Sequence, residues 1–187
     1  MATSNGFVLW FTGLSGAGKS TLAAHIAPIL SARDKKVEVL DGDEIRAHLS
    51  QGLGFTKDDR DMNVRRIGFV ATLLARNGCA AITAAISPYE SIRQECRIRT
   101  ERSRARFIEV WVNAPLEVVE KRDTKGLYAK ARAGVIKNFT GVSDPYEAPS
   151  APEVVVSTGE ETVEQSTAKI LDFLESEGLI SPIPIPG

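Results

Sequence analysis

The chain is expected to fold as a three-layer α/β domain whose mostly parallel, five-stranded sheet is flanked by helices. Three observations predict this. Strand-like apolar runs alternate with helix-periodic stretches along the chain. The first such pair is joined by Gly13-Leu14-Ser15-Gly16-Ala17-Gly18-Lys19-Ser20, which matches the phosphate-binding pattern G-x-x-x-x-G-K-[ST]. The 187 residues suffice for one domain with a full core and a covered parallel sheet.

The elements follow in order. Phe7 to Phe11 reads as a buried strand, and Thr21 to Leu30 as a helix. Lys36 to Asp41 is a second strand, trailed by a short helix from Asp43 to Leu49 and a turn at Gly52-Leu53-Gly54. Between Asp58 and Asn77, Val64, Ile67, Val70, Ala71 and Leu74 recur at helical spacing, with Gly78 as the stop. Cys79 to Ile86 is an apolar strand, broken by Pro88 before a charged helix from Tyr89 to Arg102. Phe107 to Val112 is the next strand, Leu116 to Arg122 a short helix with Pro115 at its mouth, Val154 to Val156 the last strand, and Val163 to Leu174 a closing helix. Residues 125–152, basic at first and then rich in Gly, Pro and aromatic residues, are long for a plain connection and read as a mobile lid. The Pro-rich tail, 181–187, is expected to be extended.

The strand-loop-helix setting gives the glycine loop its mechanism, that of a P-loop NTPase. Glycines let backbone N–H groups turn around a polyphosphate, and the following helix adds the positive end of its dipole. Lys19 is expected to reach the β- and γ-phosphates of a nucleoside triphosphate, and the Ser20 hydroxyl to ligate Mg²⁺. No Asn-Lys-x-Asp element marks a guanine-specific switch, and a late basic segment favours a kinase that closes over two substrates. Asp41 and Asp43 end the second strand at the sheet edge where such ligands bind. One carboxylate suits the Mg²⁺ water shell, the other a substrate hydroxyl; the competing reading makes Asp43 a helix cap.

Lys plus Arg total 23 against 24 Asp plus Glu, which argues against a general nucleic-acid or polybasic membrane surface. Cys79, read as core, and Cys96 do not make a disulfide framework or a metal site, and His25 and His48 read as ordinary helix residues. The opening MATSNG lacks a targeting pattern and no apolar stretch approaches a membrane span, so a soluble, cytoplasmic protein is expected.

Several motifs together resemble one family. Gly13 to Thr21, Asp41-Gly42-Asp43 with Arg46, Phe55-Thr56 with Arg60 and Asn63, Ile86-Ser87-Pro88-Tyr89, Lys125-Gly126-Leu127-Tyr128, Phe139-Thr140-Gly141 and Asp144-Pro145-Tyr146-Glu147 are similar to adenylylsulfate kinase (APS kinase). The resemblance implies MgATP-dependent phosphorylation of the 3′-hydroxyl of adenosine 5′-phosphosulfate (APS), giving PAPS and ADP. It makes Asp43 the group that orients and deprotonates that hydroxyl. Arg46, Arg60 and Asn63 become ligands of the phosphosulfate and ribose, Phe55 and Phe139 the two faces of an adenine sandwich, and Ile86-Ser87 a wall of the same pocket.

Ser87 is the family's phosphoserine position; a second reading makes it a contact at a strand end, because in-line transfer needs no covalent relay. Phe139 lies in a polar lid where a core role is less natural. Arg122 is a candidate to stack on the ATP adenine, and Lys130, Arg132 and Lys137 to lie over its phosphates, against an exposed helix face for each. Two departures stand out: Ala17 where the family commonly has Ser, and Val142-Ser143 where Ile-Asp is usual. A homodimer, and ATP sulfurylase as a functional partner, are further implications; the chain length leaves no room for a fused sulfurylase. Other readings are a gluconate- or shikimate-type kinase, which leaves Phe55 and Phe139 unexplained, and a nucleotide switch without an acceptor.

Overall fold

Phe7–Thr12 form β1, buried at every position, which is why its sequence is apolar rather than alternating. The computed structural model describes residues 6–182. After β1 come α1 (Lys19–Ser31), β2 (Lys36–Asp41), α2 (Gly42–His48), α3 (Lys57–Arg76), β3 (Cys79–Ala84) and α4 (Glu90–Arg102). Then follow β4 (Arg106–Asn113), α5 (Leu116–Arg122), α6 (Leu127–Arg132), β5 (Val154–Ser157) and α7 (Val163–Ser176). The strands form one sheet in the order β2-β3-β1-β4-β5, with every neighbouring pair parallel. The expected fold class holds.

The period of two in β1 sorts its side chains between two cores. Phe7, Leu9 and Phe11 pack with Leu22, Ile26 and Leu30 of α1 and Ile170 and Leu174 of α7. Val8 and Trp10 face the other way, onto Val64, Ile67 and Ala71 of α3 and Ile92 and Cys96 of α4. After β1 the chain moves out to β2, returns to β3, and then crosses to β4 on the other side. This reversal opens a crevice at the carboxyl ends of β1 and β3, where open α/β sheets bind ligands.

Three local expectations are corrected. β3 stops at Ala84 rather than Ile86, because the Ile86 carbonyl leaves the ladder to accept from Thr12 Oγ1 at 2.7 Å and Gly13 N at 3.4 Å. Cys79 is half-buried, whereas Cys96 is the core cysteine. Helix α6 went unread inside the lid; the Asp123 carboxylate starts it by accepting from Tyr128 N and Ala129 N, both at 3.0 Å. The histidines sit on helices as expected, His25 on α1 and His48 on α2. Ser181 and Pro182 are exposed and irregular, and the rest of the tail lies outside the described residues.

Gly68 sets the distance between α3 and α4. A Cβ there would lie 2.4 Å from Cys96 Sγ and 3.1 Å from its Cβ. In an open helix Gly→Ala stabilises by about 1 kcal/mol; here overpacking, worth about 1–3 kcal/mol, opposes it. Gly68→Ala is expected to lower the melting temperature measured by circular dichroism. An unchanged or raised Tm would mean that this contact does not fix the helix spacing.

Candidate active site

The loop from Gly13 to Gly18 joins β1 to α1. Gly13 takes φ +155°, and a Cβ on it would meet the Val112 carbonyl at 2.3 Å, so the close approach to β4 demands glycine. Side chains hold the loop's carbonyls in place. The Tyr128 hydroxyl donates to Ser15 O at 2.9 Å, Arg122 to Gly16 O at 3.3 Å, and Thr158 Oγ1 to Ala17 O at 2.6 Å. Because N–H and C=O oppose each other across a trans peptide, these contacts turn the N–H groups of Gly16 and Gly18 away from the donors, toward the loop's concave side. Helix α1 has neither a side-chain cap nor an acidic residue in its first turn, so its N-terminus is left positive. Lys19 Nζ donates to Gly13 O at 2.9 Å and Leu14 O at 2.7 Å. Burial, and secondarily Lys125, push its ammonium down to about 7.

Beside the loop, Ser20 Oγ donates to Asp41 Oδ2 at 2.6 Å. Asp41 also accepts from Asp43 N at 3.0 Å and caps α2. The cap role weighed for Asp43 therefore belongs to Asp41. Asp43 is left with an exposed carboxylate, ion-paired to Lys125 at the start of the lid. Ser20 and Asp41 offer hard oxygen donors next to a phosphate cradle, the donor set that suits Mg²⁺ held by one carboxylate and nucleotide phosphates. Among the described residues no three His, Cys, Asp or Glu gather into a metal cage.

A cavity of about 870 Å³ runs from this loop to the second group of predicted residues, with Arg46, Phe55, Arg60, Asn63, Ile86, Ser87 and Phe139 in its lining. The Arg46 guanidinium lies 4.4 Å over the Phe55 ring and donates to Gly54 O at 3.0 Å; Phe55 is 59 % exposed. Arg60 donates to Phe55 O at 3.0 Å and to Asn138 O and Thr140 Oγ1 of the lid. Asn63 Oδ1 is buried and, among the described residues, meets no donor, leaving an acceptor open to a ligand. Ser87 takes a left-handed φ of +41° and is 2 % exposed, and its Oγ accepts from Trp10 Nε1 at 3.1 Å.

The sequence pattern across both halves matches the family model for adenylylsulphate kinase over residues 5–157. The chain belongs to the adenylylsulphate kinase family. It is an ATP-dependent phosphotransferase of that family. The chain is 56 % identical to the adenylyl-sulfate kinase of Myxococcus xanthus over 96 % of its own length and 97 % of the relative's. It is 61 % identical to a probable bifunctional SAT/APS kinase of Sorangium cellulosum, matching 94 % of this chain and only 30 % of that longer protein. The Mycobacterium tuberculosis APS kinase solved in complex with AMPPNP and APS superposes with a TM-score of 0.87 at 41 % identity, covering 91 % of this chain and 98 % of that one.

Two expectations drawn from the adenylylsulphate kinase motifs change on the structure. Phe139 is not an unpartnered lid residue: it is 9 % exposed and meets Tyr128 edge-on at 5.0 Å, because α6 supplies the lid with an apolar face of its own. Of the lid cations, Lys137 lines the cavity, Lys130 does not, and Arg132 is paired with Glu120. Arg122 reaches the loop carbonyl Gly16 O and Thr158 O. Ser143, one of the departures from the family pattern, accepts from Phe139 N at 2.9 Å, a turn-closing role that Asp also performs.

Sequence reasoning assigned nothing to Tyr128 or Lys125, though both stood in a quoted motif. It also missed the buried network around Arg93, whose guanidinium is fully buried against Glu109 at 2.7 Å and donates to Ser87 O at 2.8 Å. A signal was available: Glu109 interrupts an apolar strand, and Arg93 falls between Ile92 and Cys96 on the apolar stripe of α4.

Lys19 gives a pH-dependent test. Its pKa falls from 10.5 to about 7 on folding, so between those values the unfolded chain binds more protons. Its contribution to stability in the free protein is therefore least favourable below about pH 7 and improves as pH rises toward 10.5. Polyphosphate restores the ammonium, so binding a non-hydrolysable ATP analogue at about pH 8.5 is expected to take up a proton. Calorimetry in buffers of differing ionisation enthalpy measures that uptake. Its loss in Lys19→Met, with none lost elsewhere, is the expected result; equal uptake in both proteins would assign the proton to another group.

Proposed function

We infer that the protein transfers the γ-phosphoryl group of ATP to the 3′-hydroxyl of APS, releasing ADP and PAPS. One observation carries this reading: the phosphate loop, the exposed Asp43 carboxylate and the Arg46–Arg60–Asn63 group all line one cavity. The loop N–H groups and Lys19 bind the triphosphate and meet the charge that develops on the transferring phosphoryl oxygens. Ser20 and Asp41 hold Mg²⁺, which supplies charge neutralisation to the phosphates when bound. Across the cavity, Arg46 and Arg60 grip the phosphosulfate, Asn63 Oδ1 takes a donor from the nucleoside, and Phe55 and Phe139 flank the adenine. Asp43 orients the 3′-hydroxyl and accepts its proton as the oxygen bonds to the γ-phosphorus and the bond to ADP breaks.

Ser87 serves this reaction as a pocket wall. Its Oγ accepts from Trp10 Nε1, and among the described residues no base hydrogen-bonds to it, so it lacks what an activated nucleophile needs. The chain acts as one kinase domain whose lid, residues 125–152, excludes water during transfer. The family resemblance supports a homodimer and ATP sulfurylase as the source of APS. A charge balance near zero supports the absence of nucleic acid or a membrane surface as partner, and among the described residues no helix is long and apolar enough to cross a membrane; the cytoplasmic setting expected from the sequence remains part of this reading.

Incubation with MgATP and APS, with direct detection of PAPS, tests the function; ATP hydrolysis without PAPS would refute it. Lys19→Ala is expected to abolish transfer while the protein stays folded, and wild-type turnover in a folded variant would overturn the loop's role. Ser87→Ala is expected to retain substantial activity. A phosphoserine that forms and decays at the turnover rate, and disappears with activity in the variant, would make Ser87 a covalent carrier instead.

A further inference from the structure

The motif Asp144-Pro145-Tyr146-Glu147 takes no part in the transfer described above, yet it is fastened closely to the turn that carries Ile86 and Ser87. Asp144 Oδ2 accepts from the Tyr89 hydroxyl at 2.7 Å and lies 3.4 Å from Arg60. Glu147 donates its N–H to Pro88 O at 2.8 Å, and its carboxylate accepts from Glu90 N at 2.7 Å at the start of α4. The Glu147 carbonyl accepts from Arg93 Nη2 at 2.8 Å. Pro88, Tyr89, Glu90 and Arg93, which follow the pocket wall, are thus all tied to this one segment.

Two chains of hydrogen bonds run from the segment to the wall itself. Thr12 Oγ1 has a single proton, directed at the wall's carbonyls, Ile86 O at 2.7 Å and Ser87 O at 3.3 Å. Tyr146, whose hydroxyl is 3.0 Å from Thr12 Oγ1, is therefore the donor in that pair. Burial suits it to the task, holding the phenol in its neutral form with a pKa pushed up to about 12. The second chain is Glu147 O to Arg93, and Arg93 Nη1 to Ser87 O at 2.8 Å. Ile86 O also accepts from Gly13 N of the phosphate loop. The carbonyls of Ile86 and Ser87 are thereby shared between the donor-nucleotide loop and the segment 144–147. Ser87 needs such holding, because a non-glycine residue at φ +41° does not keep that conformation unaided.

We propose that Asp144–Glu147 is a fixed clasp rather than part of the moving lid, and that Tyr146 and Arg93 are positioning residues which set the Ile86–Ser87 wall against the phosphate loop. The proposal rests on the assignment of that wall to APS. The lid that moves then ends before Asp144. The clasp acts on where the acceptor sits, and leaves the grip on ATP to the loop.

Steady-state kinetics on Tyr146→Phe, Thr12→Val, their double variant and Thr12→Ser test it. Tyr146→Phe and Thr12→Val leave the buried Arg93–Glu109 pair intact, so folding is not at stake as it would be in Arg93→Ala. Each is expected to raise KM for APS about three- to tenfold, as loss of one neutral hydrogen bond does. KM for MgATP is expected to stay within about twofold, since the loop contacts are untouched. Thr12→Ser keeps the hydroxyl and restores the wild-type KM for APS. The double variant is expected to be no worse than Thr12→Val alone, because both changes cut one chain. Equal rises in both KM values, additive losses, or a lowered Tm with unchanged KM would make the clasp merely structural and overturn the proposal. A wild-type protein that forms no PAPS would overturn the function and the clasp with it, whereas an active wild type without the APS-specific split overturns the clasp alone.

Discussion

The Arg93–Glu109 ion pair is the interaction on which the rest of the site depends. Both side chains are buried almost completely, Arg93 in α4 and Glu109 in the middle of β4. A buried guanidinium must be paired and must spend all its donors, and removing one partner of such a pair costs about 3–5 kcal/mol. Arg93 meets that demand with Glu109, Glu90 and the carbonyls of Ser87 and Glu147. Glu109 in turn accepts from Arg97, which also grips Glu153. Burial pushes the Glu109 carboxyl up while the two arginines oppose it. The need to satisfy one buried charge therefore pins β4, the Ile86–Ser87 turn and the returning segment 147–153 to a common point.

The phosphate loop is held from the opposite side. Its carbonyls are engaged by Tyr128 of α6, Arg122 of α5 and Thr158 just after β5, three elements that follow the loop in sequence by more than a hundred residues. Carbonyls satisfied in this way leave the N–H groups of Gly16 and Gly18 to bind an anion without further rearrangement, which is the preorganisation that electrostatic catalysis requires. Because Tyr128 also packs on Phe139, the lid and the donor loop share a side chain. The segment that carries Phe139 and the phosphate loop are thus linked through one aromatic ring.

What was legible in the sequence was local. The β1–loop–α1 unit declares itself because strand burial, glycine spacing and the following helix occupy adjacent positions. The parallel sheet follows from strand and helix alternation alone. Helix α6 was hidden because Asp123 caps it from outside a stretch whose composition reads as loop, and Phe139 was misjudged because its partner Tyr128 lay on that unread helix. The cap of α2 needed coordinates as well: the sequence offered Asp43 for it, and the backbone shows that Asp41 is the carboxylate that accepts from Asp43 N. Arg93 and Glu109 lie 16 residues apart on different elements, and only the fold makes them neighbours.

The cations of the cavity share one further property. Lys19 rests on the loop carbonyls of Gly13 and Leu14, Lys125 on Asp43, Arg46 on Phe55 and Gly54 O, and Arg60 on lid acceptors and Phe55 O. None of these four waits unpartnered for a ligand, so binding exchanges one set of acceptors for another. Such exchanges contribute little when the incoming acceptor is neutral, about 0.5–1.5 kcal/mol net, and about 1.5–3 kcal/mol when it is charged. A ligand gains from the site only where it brings a denser negative charge than the carbonyls or carboxylate it displaces. On the proposed function, the resting partners act as a filter: polyphosphate and phosphosulfate bring the denser charge that displaces them from Lys19, Lys125, Arg46 and Arg60, and a neutral polyol of the same size does not. Selectivity for two anionic nucleotides then follows from what the cations hold before either one arrives.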